Sequence, residues 1–461
     1  MLQELAEKLF KQHLASETKI PQIESRQPVH VVYGGANLFK ADTPQKLGRI
    51  ALRSIETYAP NFIEFAKAMG LPDAELLDES LAYQAENEEK IKDAGHSAWL
   101  AWNVYRKTIE KLLSEPVEDF RIDFEDGYGF RTDYEEDSHA QQASEELAKN
   151  VCSDRALPFC GFRIKSFSSE TFKRAVRTLE IFLQNFTEKT DGFRTFKNLS
   201  ENFVVTLPKI TSYKEVQVLS KLLDAFEQKN SLPTGLIKIE IMIETPQAII
   251  NEDGRIVLQE LIKAGEGRIA SAHFGAFDYT ASFGIAGIHQ HLQHDSCNLA
   301  RQLMQLALAR LGIRLSDSVT IEIPVPIHKG NNLSVKQIEE NKLVVHRAWQ
   351  KHFENITFSL SNGFYQSWDL HPAQLVARYA AIYSFFLSAK DIQAKRLKNF
   401  IEKATQASLT GNVFDDAASA IGIINFFRKA KHCGALSEEE IQRTTGLKFN
   451  ELSSASFLKL K

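Results

Sequence analysis

The segment IKIEIMIETPQ, residues 237–247, constrains the fold more than any other part of the sequence. Isoleucine occupies every second position of its first seven residues, with lysine, glutamate or methionine between. This period of two predicts a β-strand with one aliphatic and one polar face. Thr245 and Pro246 end the strand, and proline favours the first turn of a helix. In a parallel barrel wrapped by helices the aliphatic face packs outward. Glu240 and Glu244 would then point inward, with Glu244 at the C-terminal rim.

Strands of this kind alternate with helical patterns eight times along the chain. The predicted strands cover residues 28–39, 118–130, 158–167, 201–210, 237–247, 267–280, 318–327 and 361–372. This alternation predicts an α/β protein with a closed (β/α)8 TIM barrel, which typically needs about 250 residues. The chain has 461 residues, so we assign the surplus to three helical segments. The predicted division is an N-terminal extension at 1–27, a barrel at 28–390 with an insertion at about 71–115, and a C-terminal segment at 391–461.

Composition and charge exclude several classes of protein. The formal net charge is −4, so the sequence lacks the basic field expected of a nucleic-acid-binding or membrane-binding protein. Four cysteines occur without CxxC spacing, which argues against a disulfide framework or a zinc site and favours a reducing compartment. The N-terminus lacks the apolar core of a signal peptide, and no apolar run approaches the roughly 20 residues of a membrane span. We therefore expect a soluble cytoplasmic protein.

Charged side chains on several predicted strands are expected to point into the barrel. By alternation, the inward residues are Arg121, Asp123 and Glu125 in the second strand, and Arg163 and Lys165 in the third. In the fourth strand the inward residues are expected to be Val205, Leu207 and Lys209, and in the sixth Ala270, Ala272, Phe274, Ala276 and Asp278. The seventh strand offers Glu322 and the eighth Asp369. Burying unpaired charges costs several kcal/mol each. The charges must therefore pair with one another, bind a ligand or hold a metal.

The residue types at the rim indicate a particular chemistry. Glu244 and Asp278 come from neighbouring strands, and carboxylates completed by water suit Mg²⁺ or Mn²⁺. Arg163 offers a planar fork that matches a substrate carboxylate. A divalent ion beside an arginine can chelate a 2-oxo acid and stabilise an enolate as a Lewis acid. The alternative is that these side chains only form ion pairs, with Lys209, Lys238 or the acids of the second strand.

The ends of the predicted strands also carry a family resemblance. The motifs IDFEDGYG, FRIK, TLPK, IMIETP, FGAFD and WDLHPAQ occur in this order. The ordered set resembles the citrate lyase β-subunit/HpcH–HpaI aldolase family of pyruvate-type TIM barrels, which has malyl-CoA lyase and malate synthase relatives. The resemblance covers roughly residues 28–380. It implies a Mg²⁺-dependent enzyme that cleaves or forms a C–C bond next to a carboxylate, often in a CoA thioester.

The resemblance assigns roles to five residues. The metal-binding acids of the family fall on Glu244 and Asp278, and the arginine that binds the substrate carboxylate falls on Arg163. The acidic pair after the second strand falls on Glu125 and Asp126, where it orders water or the substrate. Asp126 could instead cap its own loop.

Four further side chains are candidates at the same site. The family pattern R-x-N ends here in Lys165, a cation in place of an amide, and we expect Lys165 to contact the substrate. We expect the same of Asp369 and His371 at the end of the eighth strand, although His371 could be a structural histidine. Lys209 is either a catalytic residue or a member of an ion pair in the core.

The sequence thus predicts a Mg²⁺-dependent lyase or aldolase acting on an oxo acid or hydroxy acid, or its CoA thioester, through a metal-stabilised enolate. A malate synthase-like condensing enzyme would add an acid/base residue on a C-terminal lid, for which Asp415 and Asp416 are candidates, although these two acids could instead lie at the N-terminus of a helix. A glycoside hydrolase barrel with paired carboxylates and a metabolite-binding barrel without catalysis are also compatible with the sequence. A phosphotransferase would need a phosphate-binding loop, and the sequence has no P-loop. By resemblance we expect a homo-oligomer.

Overall fold

The computed structural model describes residues 26–84, 86–193, 202–402, 408–410, 413–415 and 417–453. Within these residues eight parallel strands close into a barrel in chain order, because β1 pairs with both β2 and β8. The strands are β1 His30–Gly35, β2 Asp119–Asp123, β3 Phe159–Arg163, β4 Phe203–Leu207, β5 Lys238–Ile243, β6 Ile269–Phe274, β7 Arg314–Val319 and β8 Gln366–Asp369. The predicted (β/α)8 barrel is confirmed.

Helices surround the barrel and begin at local sequence signals. Pro44 lies in the first turn of the first helix, and Thr132 with Glu135 forms a capping box at the start of the fifth. In the described part of the chain, no helix combines the length and apolarity needed to cross a membrane. The helices are α1 Thr43–Tyr58, α2 Phe62–Met69, α3 Glu88–Asp93, α4 His96–Ser114, α5 Asp133–Val151, α6 Phe172–Lys189, α7 Tyr213–Lys229, α8 Leu258–Ala264, α9 Ala276–Ala281, α10 Asp295–Leu308, α11 Val335–Ser361, α12 Gln374–Glu402, α13 Ala417–His432, α14 Glu438–Thr445 and α15 Phe449–Ser453.

The segments outside the predicted barrel are mostly helical where they are described. The predicted insertion contains α3 and α4, and α4 packs against α1, α2 and α12. Helix α12 continues across the predicted boundary at residue 390. Residues 1–25 of the predicted extension and Asp416 of the candidate lid lie outside the described residues, whereas Asp415 ends a short strand, Val413–Asp415. The division into three segments stays a prediction.

Aromatic side chains form much of the layer between the strands and the outer helices. The ring of Phe162 in β3 stacks on Phe182 of α6 with 4.0 Å between centroids, and Phe186 stacks on Phe203 of β4 at 5.1 Å. All four side chains are buried. Burying a phenylalanine contributes about 1.5–3 kcal/mol, so this layer fixes which strand faces point outward.

The inward faces of β2, β3 and β5 agree with the prediction. Arg121 of β2 crosses the lumen to Glu240 of β5, with Nε–Oε1 and Nη2–Oε2 distances of 3.1 and 3.0 Å. Asp123 of β2 meets Arg163 of β3, with 2.6 Å between Oδ2 and Nη2. Both pairs are buried, so the lumen charges are paired as the energetic argument requires.

The predicted inward faces of β4 and β6 are wrong. Thr206 of β4 and Ser271 of β6 point into the lumen, where each hydroxyl donates a 2.8 Å hydrogen bond to Glu240. A buried carboxylate needs hydrogen-bond donors, so the strand faces that carry these two hydroxyl groups point toward Glu240. The small side chains on the other face therefore point away from the lumen. Five of the residues predicted to point inward lie on the opposite faces of these strands: Val205, Leu207, Ala270, Ala272 and Phe274. Lys209 lies beyond the end of β4, and Ala276 and Asp278 lie beyond β6 in α9.

The predictions for the seventh and eighth strands also need correction. The predicted strand 318–327 is wrong for most of its length because β7 ends at Val319, so Glu322 lies in the following loop. Two prolines in that loop lack the N–H group that a strand ladder needs. In β8, Trp368 points inward toward other lumen aromatics, and Asp369 points outward between the strand and the helices.

Candidate active site

Glu244 lies at the C-terminal rim of the barrel, directly after β5, and is 2% exposed. Its Oε1 accepts a hydrogen bond of 2.6 Å from the backbone N–H of Lys209. Burial and then the negative charge of Asp278 raise the pKa of the Glu244 carboxyl to about 8. A nearby cation would favour the ionised form of a carboxyl group in this environment.

Asp278 and Gly275 complete the surroundings of Glu244. Asp278 lies in the first turn of α9, which follows β6, and its side chain is exposed. A Cβ atom at Gly275 would lie 2.7 Å from Oε2 of Glu244. Glycine therefore keeps the space beside this oxygen open.

Lys209 joins the loop after β4 to the loop after β2. Its backbone has a φ of 51°, in the left-handed region that is unfavourable for residues other than glycine. This conformation accompanies three contacts, since the N–H donates to Glu244 and Nζ donates to Oε1 of Glu125 at 2.6 Å and to Oδ1 of Asp126 at 2.9 Å. Burial acts to lower the pKa of the Lys209 ammonium, but hydrogen bonds to the two carboxylates raise it above its usual range.

Arg163 is held between a carboxylate and an aromatic floor. Its Nε and Nη2 donate to the two oxygens of Asp123 at 2.7 and 2.6 Å, so one edge of the guanidinium group is fully used. Its Nη1 lies 3.1 Å from Oε2 of Glu125. The guanidinium carbon lies 4.9 Å from the ring centre of Tyr33 and 5.6 Å from that of Trp368. Nη1 is therefore the donor of Arg163 that faces the acidic cluster.

Glu125 and Asp126 share the two cations of the cluster. The Glu125 side chain is 10% exposed, and burial raises its pKa despite the opposing charge of Arg163. Asp126 is more exposed, at 54% of its side chain. Burial acts to raise the pKa of Asp126, but the hydrogen bond from Lys209 lowers it. The neighbouring acids thus have pKa values displaced in opposite directions.

The donor set fits a hard divalent cation. Within the described residues, no group of three or more histidine, cysteine, aspartate or glutamate side chains is already arranged to hold a metal ion. Mg²⁺ commonly takes one or two protein carboxylates and keeps several waters. Two cations, Arg163 and Lys209, face five carboxylates, and this excess of negative charge favours the binding of a further cation. The five carboxylates belong to Asp123, Glu125, Asp126, Glu244 and Asp278. Glu244 and Asp278 are the acids of this set that lack a salt-bridging cation within the described chain.

Lys165 is directed away from this cluster. Its Nζ donates to the backbone oxygen of Phe124 at 2.7 Å and to Oε2 of Glu136 at 2.8 Å. Glu136 belongs to α5 and is buried. The predicted contact of Lys165 with a substrate would therefore require these bonds to break.

Asp369 lies in a buried network behind β8. Its Oδ1 accepts from Nε2 of His352 and from Nη2 of Arg378, both at 2.7 Å, and its Oδ2 lies 3.0 Å from Nδ1 of His30. Burial acts to raise the pKa of Asp369, but Arg378 and the two histidines hold it well below its usual range. The side chain is fully buried among helices and does not reach the rim cluster.

His371 stabilises the turn between β8 and α12. Its Nδ1 accepts a hydrogen bond of 3.2 Å from the backbone N–H of Ala373. The ring is half-buried, and burial lowers the pKa of the imidazole. The described contacts of His371 are those of a turn residue, and its predicted role in substrate binding stays a prediction.

Sequence reasoning missed three residues that shape the site. Tyr33 and Trp368 form the floor beneath Arg163, with 4.2 Å between their ring centroids, and Gly275 leaves room at Glu244. Tyr33 occupies an inward position of a short valine-rich strand, so the alternation rule could have identified it. Gly275 could be recognised only once Glu244 was placed across from it.

The fold and the rim together define a (β/α)8 barrel with a carboxylate-rich site at the C-terminal ends of its strands. The chain belongs to the family described as Domain of unknown function (DUF6986), whose model matches residues 12–460. A sequence comparison with curated proteins gives no match.

Several solved structures resemble the chain at low sequence identity. A citrate lyase from Burkholderia xenovorans LB400 is 16% identical, with a TM-score of 0.48 over 73% of this chain and 91% of that chain. CitE from Mycobacterium tuberculosis, in complex with magnesium, acetoacetate and coenzyme A, is 13% identical, with a TM-score of 0.45 over 92% and 100% of the two chains. The magnesium/glyoxylate complex of Haloferax volcanii malate synthase is 12% identical, with a TM-score of 0.43 over 94% and 96%.

Proposed function

We propose that the rim cluster is the active site of a divalent-metal-dependent enzyme that cleaves or forms a C–C bond beside the carboxylate of an oxo acid or hydroxy acid. The observation that carries this proposal is the meeting of Glu244 and Asp278 at one rim with Arg163 and the Lys209–Glu125 pair. The ordered strand-end motifs support the same reaction class. Use of a CoA thioester, a condensing direction, a homo-oligomeric state and a cytoplasmic location remain predictions.

We assign metal binding to Glu244 and Asp278. Oε1 of Glu244 is engaged by the backbone of Lys209, which leaves Oε2 on the side kept open by Gly275. Because the pKa of Glu244 is raised to about 8, cation binding at neutral pH would displace a proton from this carboxyl group. A bound Mg²⁺ supplies a Lewis acid that polarises the keto oxygen of the substrate.

Arg163 anchors the substrate carboxylate through Nη1. The other edge of its guanidinium group is held by Asp123, which together with the aromatic floor fixes the direction of Nη1. Glu125 occupies this donor at 3.1 Å, so an incoming carboxylate competes with Glu125 for it. Such a site discriminates against substrates without a carboxylate, because they cannot replace the negative charge of Glu125 beside Arg163.

Glu125 is the residue to which we assign proton transfer, at Oε2. Burial raises its pKa, which brings a carboxyl group closer to the range useful for general acid–base catalysis. Lys209 binds Oε1 of Glu125 and so fixes the orientation of this carboxyl group. Oε2 of Glu125 contacts Arg163 before the substrate binds and contacts the substrate afterwards. Nζ of Lys209 also donates a hydrogen bond to Asp126, so the positive charge of Lys209 is divided between the two carboxylates.

The test is a thermal-shift titration of the purified protein with Mg²⁺ or Mn²⁺, with and without pyruvate or oxaloacetate. A ligand that binds only the native state raises the midpoint by mass action. We expect the oxo acid to raise it only when metal is present, in wild type and in the exposed-surface control Glu260→Gln, and not in Glu244→Gln. No response of the wild type to metal with either oxo acid would refute the proposal and favour a metal-independent barrel such as a glycoside hydrolase.

A further inference from the structure

A cavity lies at the N-terminal end of the barrel, opposite the rim cluster. Its volume is about 440 Å³, within the range of small-molecule sites. Arg26, which precedes β1, and Glu115, which precedes β2, contribute to its wall together with α4 and the end of α13. A strand of five residues spans about 17 Å, so the cavity is separate from the candidate active site.

Four cations line this cavity, and its carboxylates are occupied by ion pairs. Glu115 lies 2.6 Å from Arg26, and the fully buried Glu118 beneath it lies 2.9 Å from Arg26 and 2.7 Å from Lys111. Glu110 pairs with Arg106, which is outside the lining. The lining cations are Arg26, Lys107, Lys111 and Lys431.

Lys107 is one of two lining cations that can contact a ligand. It lines the cavity and has no ion pair or hydrogen bond in the described part of the chain. Lys431 is the other, with a side chain that is 35% exposed; its partner Glu438, at 3.1 Å, lies outside the lining. Ser114 also lines this wall, but its hydroxyl group donates to the backbone oxygen of Glu110 at 2.8 Å.

The electrostatic surroundings of His432 also indicate a positive field. Burial, followed by the charges of Lys429, Lys431 and other nearby cations, lowers the pKa of this lining histidine to about 4. Nζ of Lys429 contacts the neutral Oε1 of Gln27 at 2.8 Å and the ring of Tyr365, and burial lowers the pKa of this ammonium group to about 8, so its positive charge is largely kept at pH 7. A cavity in such a field attracts anions.

We propose that this cavity binds a small polyanion, with Lys107 and Lys431 as its direct contacts. Ammonium donors suit both a phosphate ester and a polycarboxylate, and the volume accommodates a molecule of the size of a common metabolite. Arg26 and Lys111 form the rigid base of the site, since each is tied to the buried Glu118. The ligand binds without displacing the ion pairs that Arg26 and Lys111 form with Glu118.

Isothermal titration calorimetry of the full chain in metal-free buffer tests this proposal, with pyrophosphate and citrate as probes. Lys107→Gln is the informative variant because it leaves no buried carboxylate unpaired. Lys336→Gln is the matched control, because it removes the same charge from a side chain that is 85% exposed on α11. Lys431→Gln provides a second cavity variant, and thermal melts confirm that each protein is folded.

We expect saturable binding of at least one probe by the wild type, weakened roughly tenfold by Lys107→Gln and changed less than about twofold by Lys336→Gln. Binding should also weaken as ionic strength rises. Tighter binding of pyrophosphate assigns the site to a phosphate ester, and tighter binding of citrate assigns it to a polycarboxylate. Absence of saturable binding by the wild type, or equal effects of the cavity and control variants, would overturn the proposal.

Discussion

Replacing Glu244 with glutamine should stabilise the metal-free protein at neutral pH. The buried carboxyl group has its pKa raised to about 8, above the ordinary value of 4.5, because burial and Asp278 both disfavour the charge. The folded state therefore binds a proton more tightly than the unfolded state. For such a group, stability is highest below the unfolded pKa and falls as pH rises between the two values. Glutamine keeps an acceptor for the Lys209 N–H and never ionises, so it removes this dependence.

The size of the effect follows from the two pKa values of Glu244. Each unit of difference corresponds to about 1.4 kcal/mol, so the penalty is on the order of 3 kcal/mol at pH 7 and less than about 1 kcal/mol at pH 5. The shift in melting temperature is the free-energy change divided by the entropy of unfolding, which is about 2.1 cal/mol/K per residue, so for a chain of 461 residues we expect a rise of roughly 3 °C at pH 7. Added Mg²⁺ should reverse the order of the two proteins, because it stabilises only the wild type.

The assay is thermal and urea denaturation of wild type, Glu244→Gln and Glu260→Gln across pH 5 to 8, first with a chelator and then with Mg²⁺. Glu260 is an exposed residue of α8, so its variant should follow the wild type throughout. Parallel pH profiles of wild type and Glu244→Gln in chelator would refute the raised pKa of Glu244. An equal response of both proteins to Mg²⁺ would refute its role as a metal ligand.

Three further variants give distinct outcomes. Asp369→Asn should lower the free energy of unfolding by about 3–5 kcal/mol in urea denaturation, because it breaks a buried charge network, and should leave Mn²⁺ affinity unchanged; a changed Mn²⁺ affinity with unaltered stability would contradict the placement of Asp369. Gly275→Ala should weaken Mn²⁺ binding about tenfold or more, because its Cβ would press on the neighbouring carboxyl group. The control Gly422→Ala, in a helix with open space, should bind Mn²⁺ like the wild type. Lys209→Gln should raise the pKa of Asp126 in a carboxyl ¹³C NMR titration, since the hydrogen bond that lowers it is lost; an unchanged pKa would contradict that contact.

The sequence predicted the barrel because its alternation of strands and helices is strong. The polar face of β5 was also predictable, since four isoleucines mark the other face without ambiguity. Two members of the site, Arg163 and Glu244, followed from this pattern and are found at the rim.

Other features depend on contacts between distant residues. The facing of β6 is set by the need of the buried Glu240 for the Ser271 hydroxyl, which local hydrophobicity does not report. Lys209 reaches the cluster through a left-handed backbone conformation after Pro208, which the alternation rule does not include. The outward direction of Asp369 in β8 depends on His352, which lies in α11. Alternation therefore predicts faces reliably only where one face is uniformly apolar.

Titration of the protein with Mn²⁺, followed by the electron paramagnetic resonance signal of the free ion, tests the central claim most directly. The account predicts one bound ion in wild type and in Glu260→Gln, with tighter binding when pyruvate or oxaloacetate is present. It predicts affinity at least tenfold weaker in Glu244→Gln and in Asp278→Asn, because each removes one of the two assigned ligands. Failure of the wild type to bind Mn²⁺, or unchanged affinity in both variants, would contradict the assignment of this rim as a metal-dependent active site.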